Sequence, residues 1–505
     1  MMAAPRTILV FGDQLNRSIG ALSGAVAKSD TILFVESSEK VGAAEWHVQR
    51  LHFYLSSMRH FADELRRDGF KVDYVRAASF RTAIDDHRKR NPGNVIVATE
   101  PNSFGSRQLM SDLGVEMVPS NQFLCHHSQF SAWVDARRSK GYKTFKLEDF
   151  YRHQRLQLNV LMDGTEPLGG RWNYDDENRE PPPRDGHDRW PTPLVDELDE
   201  IDRDVIADIA SVAGSGKAPT GWWATTREGA LRRLTHFIDN VLPMFGPHED
   251  AMLTNNWHLA HSVLSPYLNN GLLMPGEIVA AAERAHRNGL VDIASVEGFV
   301  RQIIGWREYV WGLYWMWMPA YRDENFLGAD LDVPPAFTTG DTAMRCVRST
   351  VEGIHDRAWA HHIQRLMILG NLALTAGINP RQFTEWMSRV FVDAAEWVMV
   401  PNVVGMALFA DGGRMATKPY ASGGAYIDKM SDYCKGCRYD RKKRTGDDAC
   451  PFTTLYWDFL DRHSATFVRN PRVATQVRSA QKLADIVEVR VRATQVRDLL
   501  RSGDL

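Results

Sequence analysis

Apolar and polar positions fall into two regimes along this chain. In the first, short β-rich runs alternate with stretches of helical spacing. The runs are Thr7–Phe11 (TILVF), Thr31–Glu36 (TILFVE), Lys71–Arg76 (KVDYVR) and Asn94–Thr99 (NVIVAT), and Ala44–Asp68 is a clear helical stretch between them. That alternation predicts a Rossmann-like α/β domain, a parallel sheet with crossover helices. Gly69 stands where the long helix should stop. Gly12, Asp13 and Gln14 follow the first strand and Glu36 closes the second, at the carboxyl ends where such sheets bind ligands. No GxGxxG is present, so the dinucleotide fingerprint is absent. Taken alone, Asp13 and Gln14 are more often a turn than a ligand site.

From about Asp149 the strand signal fades. Pro181-Pro182-Pro183, Gly186, Pro191 and Pro193 read as an extended linker. Beyond Asp196 the apolar spacing is helical. Thr225 and Glu228 predict a capping box opening a helix to about Val241. Gly298–Trp317, Ala358–Thr375 and Arg381–Val400 predict further helices, with Pro319 ending the first and Gly377 and Pro380 separating the other two. The expected organisation is an α/β domain over 1–130, a linker over 131–195, a large all-helical domain over 196–430, and a C-terminal cysteine segment over 431–505 that draws Cys346 from the domain before it.

Composition bounds the class. A chain of 505 residues exceeds one compact core. Hydrophobic residues at 44% and charged residues at 24% are ordinary for a soluble globular protein. A net charge of −3 confines any nucleic-acid surface to a local patch. Met1–Val10 reads as a first strand and not as a signal peptide. Val310–Tyr321, the most apolar stretch, is too short to span a membrane, so no membrane partner is expected. Five cysteines without a secretory signal point to the cytoplasm and to thiol or metal chemistry.

Cys434 and Cys437 form a C-x-x-C, Cys450-Pro451 follows a basic loop, and Cys346 lies far upstream. Thiolates two residues apart turn toward one ion from one loop. A Cys-Pro ending is seen in iron–sulfur ligand runs, whereas zinc more often uses two C-x-x-C pairs. On spacing alone, zinc and an iron–sulfur cluster are close to even, and unrelated buried thiols are the weaker reading. Cys125 reads as a plain buried thiol.

Four further stretches sharpen the picture: His261–Leu268 (HSVLSPYL), Gly298–Tyr309 (GFVRQIIGWREY), His361–Met367 (HHIQRLM), and Lys418-Pro419-Tyr420 with Tyr426. With the cysteines, the chain resembles the iron–sulfur bacterial cryptochrome and photolyase family, the prokaryotic (6-4) photolyases. The resemblance continues through Gly169–Asn173 and Glu177–Arg179 to Trp457–Phe459, nearly the whole chain. It implies the photolyase/cryptochrome fold, with FAD held bent in the helical domain, a [4Fe-4S] cluster on the four cysteines, and a 6,7-dimethyl-8-ribityllumazine antenna near Gly12, Asp13, Gln14 and Glu36.

Residue roles follow from the same resemblance. Ser262 and Ser265 resemble hydroxyls aimed at the FAD phosphates, and each alone reads equally well as a helix cap. Arg365 and Asp393 resemble the pair beside the flavin ring, and Asn402 the amide near flavin N5. Trp306, Arg307 and Glu308 lie on the helix expected to line the pocket. His362 resembles the lesion-site proton donor, with His361 beside it. Tyr420 and Tyr426 resemble the lesion-pocket tyrosines, where a flipped base meets aromatic faces. The run Arg438, Arg441, Lys442, Lys443 and Arg444 is either a solvated loop or a phosphate contact.

One departure concerns electron supply. The family's relay runs from Trp386 through a Tyr and a second Trp, but here Met387 and Thr338 stand at those positions. Neither is a redox relay, so inefficient photoreduction is expected unless another aromatic, such as Trp359 or Trp397, offers a detour. The sequence therefore predicts a monomeric light-driven lyase for (6-4) photoproducts in UV-damaged DNA. The rival is a blue-light photoreceptor that signals through flavin redox state.

Overall fold

The structure, a computed structural model, describes residues 6–183, 189–212 and 214–505. Met1–Pro5 of the expected first strand and Gly186 of the expected linker lie outside the described residues. Five strands make the N-terminal sheet: β1 (Arg6–Val10), β2 (Thr31–Ser37), β3 (Lys71–Ala77), β4 (Val95–Thr99) and β5 (Glu116–Val118). All pairings are parallel and the spatial order is β3-β2-β1-β4-β5. The first four strands match the runs read from the sequence; β5 is too short and too polar to have announced itself. The order reverses between β1 and β4, which opens a crevice beyond their carboxyl ends.

The helix Val48–Arg67 crosses from β2 to β3 and buries Leu51, Phe53, Met58, Phe61, Ala62 and Leu65 against the sheet and neighbouring helices. Each large apolar side chain buried this way stabilises by about 1.5–3 kcal/mol. The helix stops at Asp68, and Gly69 takes φ 86°, the left-handed conformation glycine adopts without strain.

The segment expected to be a linker is not simply extended, since His127–Arg138 and Leu147–Leu158 are helices. The expected capping box does not form, and the N-cap lies one residue later, at Thr226. Thr226 Oγ1 accepts from Gly229 N at 3.1 Å and opens Arg227–His236, while Thr225 Oγ1 donates to Asp202 at 3.1 Å. The long apolar pattern to Trp317 is a helix over Ile293–Val300, a π-turn over Arg301–Arg307 and a helix over Glu308–Trp317. The stretch predicted as one helix over Arg381–Val400 breaks: Pro380–Val390 and Glu396–Val400 are helical, with 391–395 between them. Arg50, on the N-terminal crossover helix, donates to the carbonyls of Phe391 and Val392 at 3.0 and 3.3 Å. Those carbonyls are thereby taken by a side chain from the other domain instead of by helix amides.

A second tie between the domains is fully buried. Arg307 and Glu308 pair at 2.8 Å, Glu308 Oε2 accepts from Cys125 N at 2.8 Å, and the guanidinium lies 4.0 Å from the Phe123 ring centroid. No helix among the described residues is long and apolar enough to cross a membrane.

Candidate active site

The break at 391–395 presents Asp393 to Arg365. Their two-point pair has Nη1–Oδ1 at 3.0 Å and Nη2–Oδ2 at 3.1 Å, with the guanidinium 3.9 Å from the Phe391 ring centroid. Arg365 Nε also donates to Ala360 O at 2.6 Å. Ser265 Oγ donates to Asp393 Oδ2 at 2.6 Å, so this hydroxyl serves the ion pair first and is not simply free for a phosphate. Ser262 is half-buried on a loop in which Leu259 and Val263 both hold positive φ, 43° and 54°. Such conformations cost energy in non-glycine residues and cluster at ligand clamps. Asn402 Oδ1 accepts from Trp306 Nε1 at 3.2 Å and its Nδ2 donates to Val398 O at 2.8 Å, which fixes the amide. Arg307, read as a pocket residue, is instead engaged by Glu308, the Gln122 carbonyl, and the rings of Phe123 and Trp397 at the domain junction.

Beside this pair stands an imidazole stack. His261 and His361 lie 4.6 Å apart at 16°. His261 Nε2 and both ring nitrogens of His361 are buried without a hydrogen-bond partner. Burial drives both pKa values well below the ordinary value, so both rings are neutral. Three orphaned nitrogens in a packed interior are expensive unless a polar ligand meets them. A cleft of ≈ 420 Å³ reaches this wall, lined by His261, Ser262, Trp257, Trp222 and Arg233 among others. Polar orphans, a strained loop with a hydroxyl and a neutral amide held in place fit a flavin dinucleotide.

His362 behaves differently from its neighbours. Half of its side-chain surface is open, yet protein surrounds it, as on the wall of a recess. Its Nε2 lies 3.5 Å from Asp250 Oδ1. Burial acts to lower its pKa, but Asp250 and then Glu249 outweigh it and the net shift is upward. Glu249 itself is pushed up to about 7 by burial, against the pull of His362 and Arg301. Tyr420 and Tyr426 are half-buried, and both feel the charges of Asp250 and Arg179, so the two phenols and His362 face one region. Lys418 Nζ sits 5.6 Å from the Tyr420 ring centroid. The Asp250 partnership was missed in the sequence; the acid lies far upstream of His362, and no spacing rule links them.

Cys346, Cys434, Cys437 and Cys450 line one cavity of ≈ 340 Å³, with Tyr433, Tyr439 and Phe452 closing its walls. A side chain on Gly424 would press to 3.0 Å from Cys450 Sγ, so this position admits close backbone approach only without a Cβ. Burial, reinforced by mutual repulsion, holds Cys346 far above the ordinary thiol range and Cys434 at about 12. Among the described residues, the groupings tight enough to share one ion are His261–His361–His362, Glu100–His126–His127 and His60–Asp199–Asp202; the cysteines are not among them. In the basic run, Arg441, Lys443 and Arg444 pair with Asp428, Asp448 and Asp485, leaving Arg438 and Lys442 as exposed cations outside those pairs.

At the sheet crevice, Asp13 accepts from Asn102 Nδ2 at 3.1 Å, and burial raises its pKa to about 6. Gln14 is buried and donates to Glu100 O at 2.8 Å. Glu36 is taken up by Arg59 at 2.8 Å, Tyr74 and Arg76, a separate cluster at the end of β2. A side chain on Gly12 would run into Met58 Sδ. Trp386 is buried, and the rings within 6.5 Å of it among the described residues belong to Phe337, Phe383 and Phe391.

A parallel α/β domain joined to a large helical domain is the architecture of the photolyase/cryptochrome class. The family model for deoxyribodipyrimidine photo-lyase-related proteins matches residues 8–218. A (6-4) photolyase of Agrobacterium fabrum is 42% identical over 504 aligned residues, covering 96% of this chain and 97% of that one. A bacterial class III photolyase structure from Agrobacterium tumefaciens superposes with a TM-score of 0.56 at 16% identity over 99% of both chains. A Synechocystis cryptochrome structure superposes with a TM-score of 0.56 at 13% identity, covering 99% of this chain and 100% of that one. This chain belongs to the bacterial photolyase/cryptochrome family.

Proposed function

We propose that this protein is a light-driven (6-4) photolyase, an enzyme that restores (6-4) pyrimidine-pyrimidone photoproducts in DNA with FAD as its electron source. The carrying observation is the His362–Asp250 pair, an imidazole held toward its protonated form on a recess it shares with Tyr420 and Tyr426. Proton delivery to a flipped lesion needs such a group with a pKa near the working pH. The identity to a protein named (6-4) photolyase, extending over nearly the whole chain, supports the same reading.

Reduced FAD, when bound, supplies the excited electron that opens the lesion. The chain's own residues do the rest. Arg365, Asp393 and Asn402 hold the cofactor, and Ser262 meets its phosphates. His261 and His361 offer neutral nitrogens to its polar groups. His362 gives a proton to the lesion from Nδ1 and recovers it afterwards, with Asp250 facing Nε2 and steadying the imidazolium. Tyr420 and Tyr426 stack and hydrogen-bond the flipped bases. Lys418, Arg179, Arg438 and Lys442 attract the phosphates.

We assign the four cysteines to a [4Fe-4S] cluster. Their sulfurs line one cavity without being grouped tightly enough to share one ion, which favours a multi-iron cluster over a single zinc. The lumazine antenna is assigned to the β1/β4 crevice, where Gly12 and Asp13 would meet it, whereas Gln14 and Glu36 are engaged by Glu100 and Arg59. The deciding experiment is illumination of the reduced protein with a (6-4)-damaged oligonucleotide. Repair supports the assignment, and a reversible flavin photocycle without repair supports the photoreceptor.

A further inference from the structure

The usual electron route is closed in this chain by chemistry and by packing. Trp386 is surrounded by phenylalanine rings, Met387 is buried beside it, and Thr338 spends its hydroxyl on Pro335 O at 3.0 Å. Phenylalanine, methionine and threonine do not pass a hole at potentials an indole can reach.

Elsewhere three indoles touch in sequence. Trp359 is buried and contacts Trp257 at 5.3 Å between ring centroids, and Trp257 contacts Trp222 at 5.4 Å, both edge to face at 78°. Trp359 immediately precedes Ala360, whose carbonyl anchors Arg365, and its ring lies 6.2 Å from His261 and 6.4 Å from His361. Its inner end is thus built into the wall that carries the Arg365–Asp393 pair. Trp257 and Trp222 are half-buried and line the ≈ 420 Å³ cleft.

We propose that Trp359, Trp257 and Trp222 form the photoreduction relay of this protein, in place of the branch that starts at Trp386. This rests on the flavin reading above. Trp359 loses one electron to the photoexcited oxidised flavin. Trp257 refills Trp359, and Trp222 refills Trp257, so the hole arrives at the half-buried ring. There the indolium releases its N–H proton to water, and an external thiol returns one electron and one proton. Arg357 Cζ stands 4.8 Å from the Trp257 ring centroid. A cation there disfavours a resting hole, so Trp257 is a transit point and the charge settles on Trp222.

A second indole chain exists, Trp397–Trp311–Trp315, with centroids 5.8 and 5.4 Å apart. Arg307 stands 5.3 Å from Trp397 and Arg107 5.1 Å from Trp315, so cations sit at both of its ends. This makes it the poorer path.

The test follows blue-light reduction of the oxidised holoprotein with thiol at the flavin band, alongside transient absorption of tryptophan radicals. Trp257→Phe and Trp222→Phe should each lose most of the photoreduction, and Trp222→Phe should abolish the long-lived radical. Photoreduction is scored per bound flavin in both variants, because both rings line the cleft. Wild-type photoreduction in Trp257→Phe overturns the relay. So does loss confined to Trp386→Phe or Trp311→Phe, or absence of photoreduction in the parent protein. Repair that fails in chemically reduced parent protein, while Trp257 still controls photoreduction, counts against the enzymatic reading alone. Protein purified without flavin counts against the flavin reading and removes the relay with it.

Discussion

Arg365 and Asp393, 28 positions apart, meet in a two-point pair at 3.0 and 3.1 Å because the helix that should have run through Asp393 is broken open. Breaking such a largely buried pair costs about 3–5 kcal/mol, since one charge is left without its partner. Asp393→Asn should therefore purify with little FAD and a lower denaturant midpoint. Flavin-to-protein absorbance and chemical denaturation check both outcomes; full flavin occupancy would detach this pair from the cofactor.

His362 should impose the alkaline limit on repair. Burial lowers its pKa, and Asp250 and Glu249 raise it further than burial lowers it. A folded pKa raised above the unfolded value means that the stabilisation from Asp250 is full below the unfolded pKa and disappears as pH rises through the folded one. Repair by chemically reduced protein should fall across that same rise. In Asp250→Asn the fall should begin at lower pH, because burial then acts with less opposition. His362→Ala should abolish repair with flavin still bound. An unchanged pH profile in Asp250→Asn would reject the pairing.

Cys346→Ser should lose iron and most soluble protein, because Cys346 opens one helix while its three companions lie on a distant loop and at the start of Pro451–Arg462. Metal analysis of the parent protein should find about four irons per chain, the stoichiometry of one [4Fe-4S] centre. One zinc and no iron would sink the assignment, as would Cys125→Ser producing the same loss.

Glu308→Ala should destabilise the protein by about 3–5 kcal/mol, the usual result of stranding a buried guanidinium. Burial pushes the Arg307 pKa down and the Glu308 pKa up, so neither group sits there without the other. Denaturant unfolding followed by tryptophan fluorescence measures the loss. A shift within the range of a surface substitution would mean that the domain junction does not depend on this pair.

Much of this molecule was legible in its sequence. The four main strands, the crossover helix ending at Gly69, the change to helical spacing and the C-x-x-C of Cys434 and Cys437 all rest on local rules: side-chain periodicity, glycine's freedom at positive φ, and thiol chemistry. Those rules act over a few residues, so a linear reading captures them. What remained hidden depended on partners distant in sequence. Arg50 of the first domain binds the carbonyls at 391–392, and this contact, not any local propensity, accompanies the break that turns Asp393 toward Arg365. Asp250 reaches His362 across more than a hundred residues, and Glu308 closes on Cys125 in the other domain. Glu36 lay in the right place at a strand end but was claimed by Arg59, because the fold set a guanidinium within its reach. The three-indole chain ending at Trp222 likewise exists only once separate segments pack together. Hydrogen bonds, ion pairs and ring contacts decide such matters by distance in space, and distance in space is what the order of residues does not contain.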